Sequence, residues 1–255
     1  MTQVDQPKTI PAATVVIFRN CGVGGPPELL MVQRAKEMRF AGGAAVFPGG
    51  RVDPDDYTLA ARLLPGADPD IAAAKIAGVR ETLEETGLVI ALRGQVSAAQ
   101  AAEARVLLLE QGALAPLLER FGWSLDLESL VPFARWSPQQ DGTFDTRFFL
   151  ANLSTGAVDI AVDATENTHL FWASAAGVLA MADSGEAQII FPTRRNLERL
   201  ALYATFTEAC AHAREFPVRL ISPHIEMVDG VKWLRITDDH GYPVTGQPLE
   251  QVRRG

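Results

Sequence analysis

Cysteine, long apolar runs and surplus positive charge are all scarce in this 255-residue chain, and each scarcity removes a class of function. The two cysteines, Cys21 and Cys210, lie far apart and match no metal-binding or redox spacing. Two reduced thiols are expected, not a disulfide scaffold. No apolar run approaches the roughly 18 residues that would suggest a membrane span. The opening MTQVDQPKTIPAATVV lacks a basic segment leading into an apolar core, and the closing VRRG matches no retention or peroxisomal address. The cytoplasm is the expected location. Lys and Arg number 23 against 31 Asp and Glu, and the formal charge of −8 argues against nucleic acid as a partner. An anionic small molecule stays admissible if a cation or local arginines offset the field.

Apolar residues make up 47% of the chain and charged residues 21%, an ordinary globular balance with ample material for a core. ATVVIFR (13–19) and ELLMVQR (28–34) flank a GVGGPP turn and predict a hairpin. AAVFPGG (44–50) predicts one strand ending in a turn, and residues 53–70 a polar stretch with a short helix in its middle. Asp68-Pro69 then supplies an N-cap with proline at the first helical position, and Gly87 a stop. Between them, Ala72, Ile76, Val79 and Leu83 fall on one side, while Glu81, Glu84 and Glu85 point roughly the other way. LVIAL (88–92) predicts a strand. Residues 97–122 predict two helices forming an insertion, followed by strands at 130–136, 146–153 and 168–173 and a helix at 174–183. Pro192-Thr193 is expected to cap one long helix reaching residue 214. The tail, 215–255, reads as a C-terminal β extension with a strand at 218–222 and a hairpin at 225–236 turning at Asp229-Gly230. Without strict βαβ alternation, repeats or linkers, the expectation is one domain over 1–255: an α+β, α-β-α arrangement, with a mixed β-sheet flanked by helices.

The glutamates at 81, 84 and 85 raise a physical question. An exposed helix usually answers a glutamate with lysine or arginine four residues on, a pair worth about 0.2–0.5 kcal/mol. Here Glu81 is followed by Glu85, Glu84 by Leu88 and Glu85 by Val89, and no base is placed to relieve them. Lying near the helix C-terminus, the carboxylates also oppose the macrodipole at a cost of roughly 0.3–1 kcal/mol each. A solvated acidic face is the plain alternative. A divalent cation would turn both penalties into attraction, and Mg²⁺ prefers carboxylate and water oxygens while holding substrate phosphates.

RETLEETGL (80–88) resembles the second half of the Nudix box, with Thr82 where an aliphatic residue usually stands. In that pattern a glycine, five residues, a glutamate and seven residues precede the arginine. Gly50 fits the glycine, and six positions on stands Asp56, an acid but a shorter one. The 23 residues from Tyr57 to Val79 replace the usual seven, so an insertion of 16 splits the signature and leaves the role of Asp56 open. The resemblance implies a Nudix fold and hydrolysis of a nucleoside diphosphate linked to another moiety. It implies Mg²⁺ or Mn²⁺ held by Glu81, Glu84 and Glu85, with the Gly50 carbonyl as a further ligand and Arg80 orienting Glu81. The base is Glu81 or Glu166, the latter in a loop outside the box.

Upstream, LMVQRAKEMRFAGGAAVFPGG (30–50) resembles the signature preceding the box in coenzyme A diphosphatases, through Arg34, Ala35, Arg39, Gly43 and Phe47 to Gly50. FPGGRVDPDD, the long gap and DTRFFLANL (145–153) are similar to the branch typified by the peroxisomal coenzyme A diphosphatase and its bacterial relatives. Arg34, Arg39 and Arg51 are the implied substrate-binding arginines, suited to bidentate contacts with phosphate. Arg194 and Arg195 at a helix N-terminus are anion-binding candidates beside the plainer reading as surface charge. Trp136, Phe144 and Phe148 are candidates to stack an adenine, though aromatics on strands more often belong to a core. The four histidines, His169, His212, His224 and His240, show no metal spacing and read as structural. ADP-ribose, NADH or a diadenosine polyphosphate is the competing substrate set. A non-catalytic nucleotide sensor is a further alternative, and a docking protein with an exposed apolar stripe on the helices at 97–122 another. Homodimers are common in the family.

Overall fold

The aliphatic and β-branched run IPAATVVIFR forms β1 (Ile10–Arg19), whose Val15, Val16 and Ile17 are closed to solvent, so this strand is covered on both faces. The computed structural model describes residues 7–20, 24–35, 41–153 and 167–252. After β1 come β2 (Glu28–Arg34), β3 (Ala45–Val46), β4 (Gly49–Arg51), α1 (Pro54–Leu63), α2 (Pro69–Thr86) and β5 (Leu92–Arg93). Next come α3 (Ala98–Gln111), α4 (Ala115–Phe121) and β6 (Ser124–Leu125). Then follow β7 (Val131–Trp136), β8 (Phe144–Asn152), β9 (Asn167–Ser174), α5 (Ala175–Asp183), α6 (Phe191–Leu200) and α7 (Phe206–Glu215). The chain continues through β10 (Leu220–Ile221), β11 (His224–Val228), β12 (Val231–Arg235) and β13 (Gly246–Pro248).

The main sheet runs β10-β7-β8-β1-β2-β3, with β4 pairing β1 and β9 pairing β2. It is mixed, because β1 lies parallel to β8 and antiparallel to β2 and β4. On one face α1 to α4 enclose an alanine- and leucine-rich core that includes Val15, Ile17 and Ile76. On the other, α5 to α7 cover Val16, Phe18, Phe133 and Trp136. This is an α+β fold with helices on both faces of a mixed sheet.

Several local expectations change. The stretch 44–50 is two strands, because Pro48 has no N–H to donate and the chain crosses from β2 to β1 around it: Val46 pairs with Val32, Gly49 with Thr14. LVIAL is not a strand over 88–92. Leu88 and Ile90 are buried without a ladder partner, and only Leu92–Arg93 pairs, with β6. A short buried apolar run has no periodicity to separate the two cases. The long helix after Pro192 is two helices. The Thr205 hydroxyl accepts from the Glu208 N–H (3.1 Å) and the Glu208 carboxylate from the Ala204 N–H (2.8 Å), so α7 has its own start. That Thr-x-x-Glu signal was present in the sequence. In the tail, β10 joins the main sheet beside β7. The β11–β12 hairpin turns at Asp229-Gly230, as expected.

Candidate active site

Two glycines let a helix end press against a strand. At Gly78 in α2 a Cβ would come within 2.8 Å of the Val15 side chain, so this helix can lie so close to β1 only without one. At Gly50 in β4 a Cβ would stand 2.5 Å from the Glu81 carboxylate. Asp68 caps α2 through the Ile71 N–H (3.0 Å) and Gly87, in the left-handed region at φ 75°, ends it. The box carboxylates are therefore presented on the last turns of a helix fixed at both ends.

Arg80 is the hub. Only 4% exposed, it donates from Nε to Asp56 Oδ1 (3.1 Å), from Nη2 to Asp56 Oδ2 (2.9 Å) and from Nη2 to the Arg51 carbonyl (2.8 Å). Its Nη1 reaches Glu81 Oε1 at 2.8 Å and Glu84 Oε2 at 3.5 Å, and Asp53 lies 3.2 Å from Nη2. The acids thus do have a base, contrary to the expectation from i,i+4 spacing among the glutamates alone. Arg80 itself stands four residues before Glu84. Burial pulls the Arg80 guanidinium downward, but the hydrogen bond to Asp56 and the charges of Glu81, Asp56 and Asp53 outweigh it and hold the group above its ordinary range.

Asp56, 2% exposed, is the partner whose role the insertion left open. Most of the inserted residues form α1 and the turn after it. Asp53 and Asp56 open that helix, with the Asp53 N–H donating to Asp56 Oδ2 (2.9 Å). Packing α1 along α2 returns Asp56 to Arg80, so the pairing survives the split box.

The glutamates differ. Glu85 is 5% exposed and accepts from the Gly49 N–H (3.0 Å), tying the helix end to β4. Glu84 is 35% exposed, and Glu81 15%. A freely solvated acidic face is thereby overturned for two of the three. Burial pushes the Glu81 carboxyl up to about 7, opposed by the Arg80 charge and reinforced by Glu84. Among the described residues no three His, Cys, Asp or Glu side chains already converge on a common metal position. The donor set still suits a hard divalent ion. Glu81 lies against the Cβ-free Gly50, burial holds its carboxyl above the ordinary range, and the Arg80 guanidinium is shared among four carboxylates.

Arg34 ends β2, and its Nε is buried with no hydrogen-bond partner among the described residues. Its carbonyl accepts from the Gly43 N–H (3.1 Å), and its Cα partner is Asn167 at the start of β9. Arg51 is exposed, with its guanidinium 5.9 Å from the Phe144 ring centre. Arg39 and Glu166 lie outside the described residues. Arg194 and Arg195 do not form an anion site. Arg194 pairs with Asp183 and Glu198, whereas Arg195 is buried and donates to Glu198 (2.9 Å), Gln247 (3.0 Å) and the Gly246 carbonyl (3.2 Å). Trp136 and Phe148 are core side chains, and Trp136 donates from Nε1 to the Tyr242 hydroxyl (3.1 Å). His212 shares its Nδ1 with Arg199, and Cys210 is a buried free thiol. Sequence reasoning missed Asp53 and Arg105. Arg105, in α3, donates from Nε to the Glu84 carbonyl (2.9 Å), a contact that no local motif announces.

Among solved structures, this chain is similar to a NUDIX hydrolase from Alicyclobacillus acidocaldarius, at 30% identity and TM-score 0.67, over 81% of this chain and 97% of that one. The chain belongs to the Nudix hydrolases. It is accordingly an enzyme of a family that hydrolyses pyrophosphate linkages in nucleoside diphosphate derivatives and generally uses Mg²⁺ or Mn²⁺. Other matches are DR0079 from Deinococcus radiodurans (14% identity, 78% of this chain and 90% of that one, TM-score 0.43) and the NUDIX domain of Shewanella oneidensis NrtR complexed with ADP ribose (15%, 68% and 78%, 0.37). No family model and no curated protein matches the chain.

Proposed function

We propose that this Nudix hydrolase cleaves the pyrophosphate of coenzyme A or an acyl-coenzyme A, with Mg²⁺ or Mn²⁺ held by Glu81, Glu84, Glu85 and the Gly50 carbonyl. The observation that carries the reading is the crowding of Asp53, Asp56, Glu81 and Glu84 around the buried Arg80 guanidinium, beside a glycine that leaves no room for a side chain. A bound divalent ion supplies neutralisation of the phosphoryl oxygens and lowers the pKa of an attacking water. The protein's own contribution is geometric. Arg80 fixes Glu81 and Glu84 from one side, and the Gly49 N–H fixes Glu85 from the other. Glu81 accepts the water's proton; Glu166 is the alternative base, and a Glu166→Gln variant separates the two.

The substrate assignment rests on the similarity of residues 30–50 to the coenzyme A diphosphatase signature, and Arg34 supports it. A half-buried arginine whose Nε has no partner among the described residues is suited, at the strand end, to a phosphate of the substrate. Arg39 and Arg51 complete the proposed set, one charge for each further phosphate oxygen cluster of a 3′-phosphorylated dinucleotide-like molecule. The test is product analysis with Mg²⁺ and with Mn²⁺ on coenzyme A, ADP-ribose, NADH and diadenosine polyphosphates. Release of 3′,5′-ADP and phosphopantetheine is expected. A tenfold preference for ADP-ribose overturns the substrate, and a folded Glu84→Gln variant with full turnover overturns the metal ligands.

A further inference from the structure

The end of α2 that carries the glutamates is held from outside the Nudix core. In a helix the last four carbonyls lack intrahelical partners. The Leu83 carbonyl accepts from the Gly87 N–H (2.9 Å), leaving the next two to other donors. Both find the same side chain. Arg105 donates from Nε to the Glu84 carbonyl (2.9 Å) and from Nη2 to the Glu85 carbonyl (3.5 Å). Those two carbonyls belong to the residues whose carboxylates face the site. Arg105 is itself set by α3, whose Ala104 and Leu108 are buried in the core shared with α2. The insertion is thus joined to the site through one planar fork, which fixes rotation as well as position of the helix end.

We propose that Arg105 is a positioning residue for the metal-binding glutamates, and that the inserted helices serve the active site through it. The inference rests on the metal reading above. Two physical effects of removing Arg105 have opposite signs, which makes the idea testable. As a positive charge near the site, Arg105 repels a divalent ion, so its loss by charge alone tightens metal binding. As the clamp on the helix end, its loss frees the carboxylates and weakens binding, as removal of an outer-shell partner typically does by about 10-fold or more.

The experiment measures Mn²⁺ affinity of the full-length protein by electron paramagnetic resonance of free Mn²⁺, together with amide exchange at residues 85–90 in the metal-free state. Arg105→Ala is expected to weaken Mn²⁺ binding about 10-fold and to speed exchange at the helix end, with kcat falling more than KM changes. Arg105→Lys, which keeps a donor and the charge, recovers part of both. Arg120→Ala, which breaks the 2.7 Å ion pair to Glu103 between α4 and α3 without touching α2, controls for simple loosening of the insertion and leaves Mn²⁺ affinity unchanged. Unchanged or tighter Mn²⁺ binding by folded Arg105→Ala overturns the positioning role alone. A wild-type protein that takes up no Mn²⁺ overturns the metal reading, and this inference with it.

Discussion

Replacing Asp56 with alanine removes the acceptor for Arg80 Nε and for one of its Nη2 bonds, and strips the Asp53 N–H of its partner (2.9 Å). Asp56 and Arg80 are 2% and 4% exposed, so the arginine charge left behind cannot be rehydrated cheaply. Breaking a buried pair by deleting one member costs about 3–5 kcal/mol. Arg80 keeps Asp53, Glu81, Glu84 and the Arg51 carbonyl, which places the loss near the lower bound, about 3 kcal/mol. For a protein of this size that corresponds to a fall in Tm of about 6–12 °C. Denaturant unfolding of the metal-free protein at pH 7 reads the free energy directly. Asp56→Asn, which retains shape and one acceptor, is expected to lose less. Activity should fall with stability, because an Arg80 released from Asp56 no longer fixes Glu81. A loss below about 1 kcal/mol for Asp56→Ala would refute the argument that the inserted helix restores the split box through this pair.

Gly50→Ala places a methyl 2.5 Å from the Glu81 carboxylate; the strain should cost about 1–3 kcal/mol and turnover should fall because Glu81 must move, checked by thermal unfolding and kcat. Metal-free stability should depend on pH through Glu81. Its folded pKa, about 7, exceeds the ordinary 4.5, so its contribution is fully present below pH 4.5 and is lost as pH rises through 7. The loss is up to about 3 kcal/mol, read as the difference between wild type and Glu81→Gln across pH 4.5–8, and saturating Mg²⁺, by binding the carboxylate form, should flatten that slope between pH 4.5 and 7. Tyr242→Phe strands the Trp136 N–H and the Asn196 Oδ1, which the Tyr242 hydroxyl joins at 3.1 and 2.6 Å. The expected cost is about 2–4 kcal/mol by denaturant unfolding with activity per folded molecule unchanged.

The expected one-helix reading of 192–214 shows how far local pattern reaches. Apolar periodicity runs through the join, while the break is written in Thr205 and Glu208, whose side chains compete for the backbone. The Arg194-Arg195 pair shows the opposite limit. On a helix N-terminus it has the makings of an anion site, yet Arg195 is sealed by Gly246 and Gln247 from the far end of the chain. Nothing within several residues of Arg195 announces those partners.

What the sequence determined alone was local in origin. Asp68, Pro69 and Gly87 bound α2, the glutamate spacing marks its chemistry, and residues 44–50 with 80–88 point to the family. Each depends on groups within about one or two helical turns, where chain geometry leaves few options. Tertiary structure alone decided that Asp56 meets Arg80 across 24 residues, that Glu85 is buried against Gly49, and that Arg105 of α3 donates to the carbonyls at the helix end. Those contacts exist because whole helices pack on one sheet face, and packing is set by surfaces that no short stretch of sequence contains.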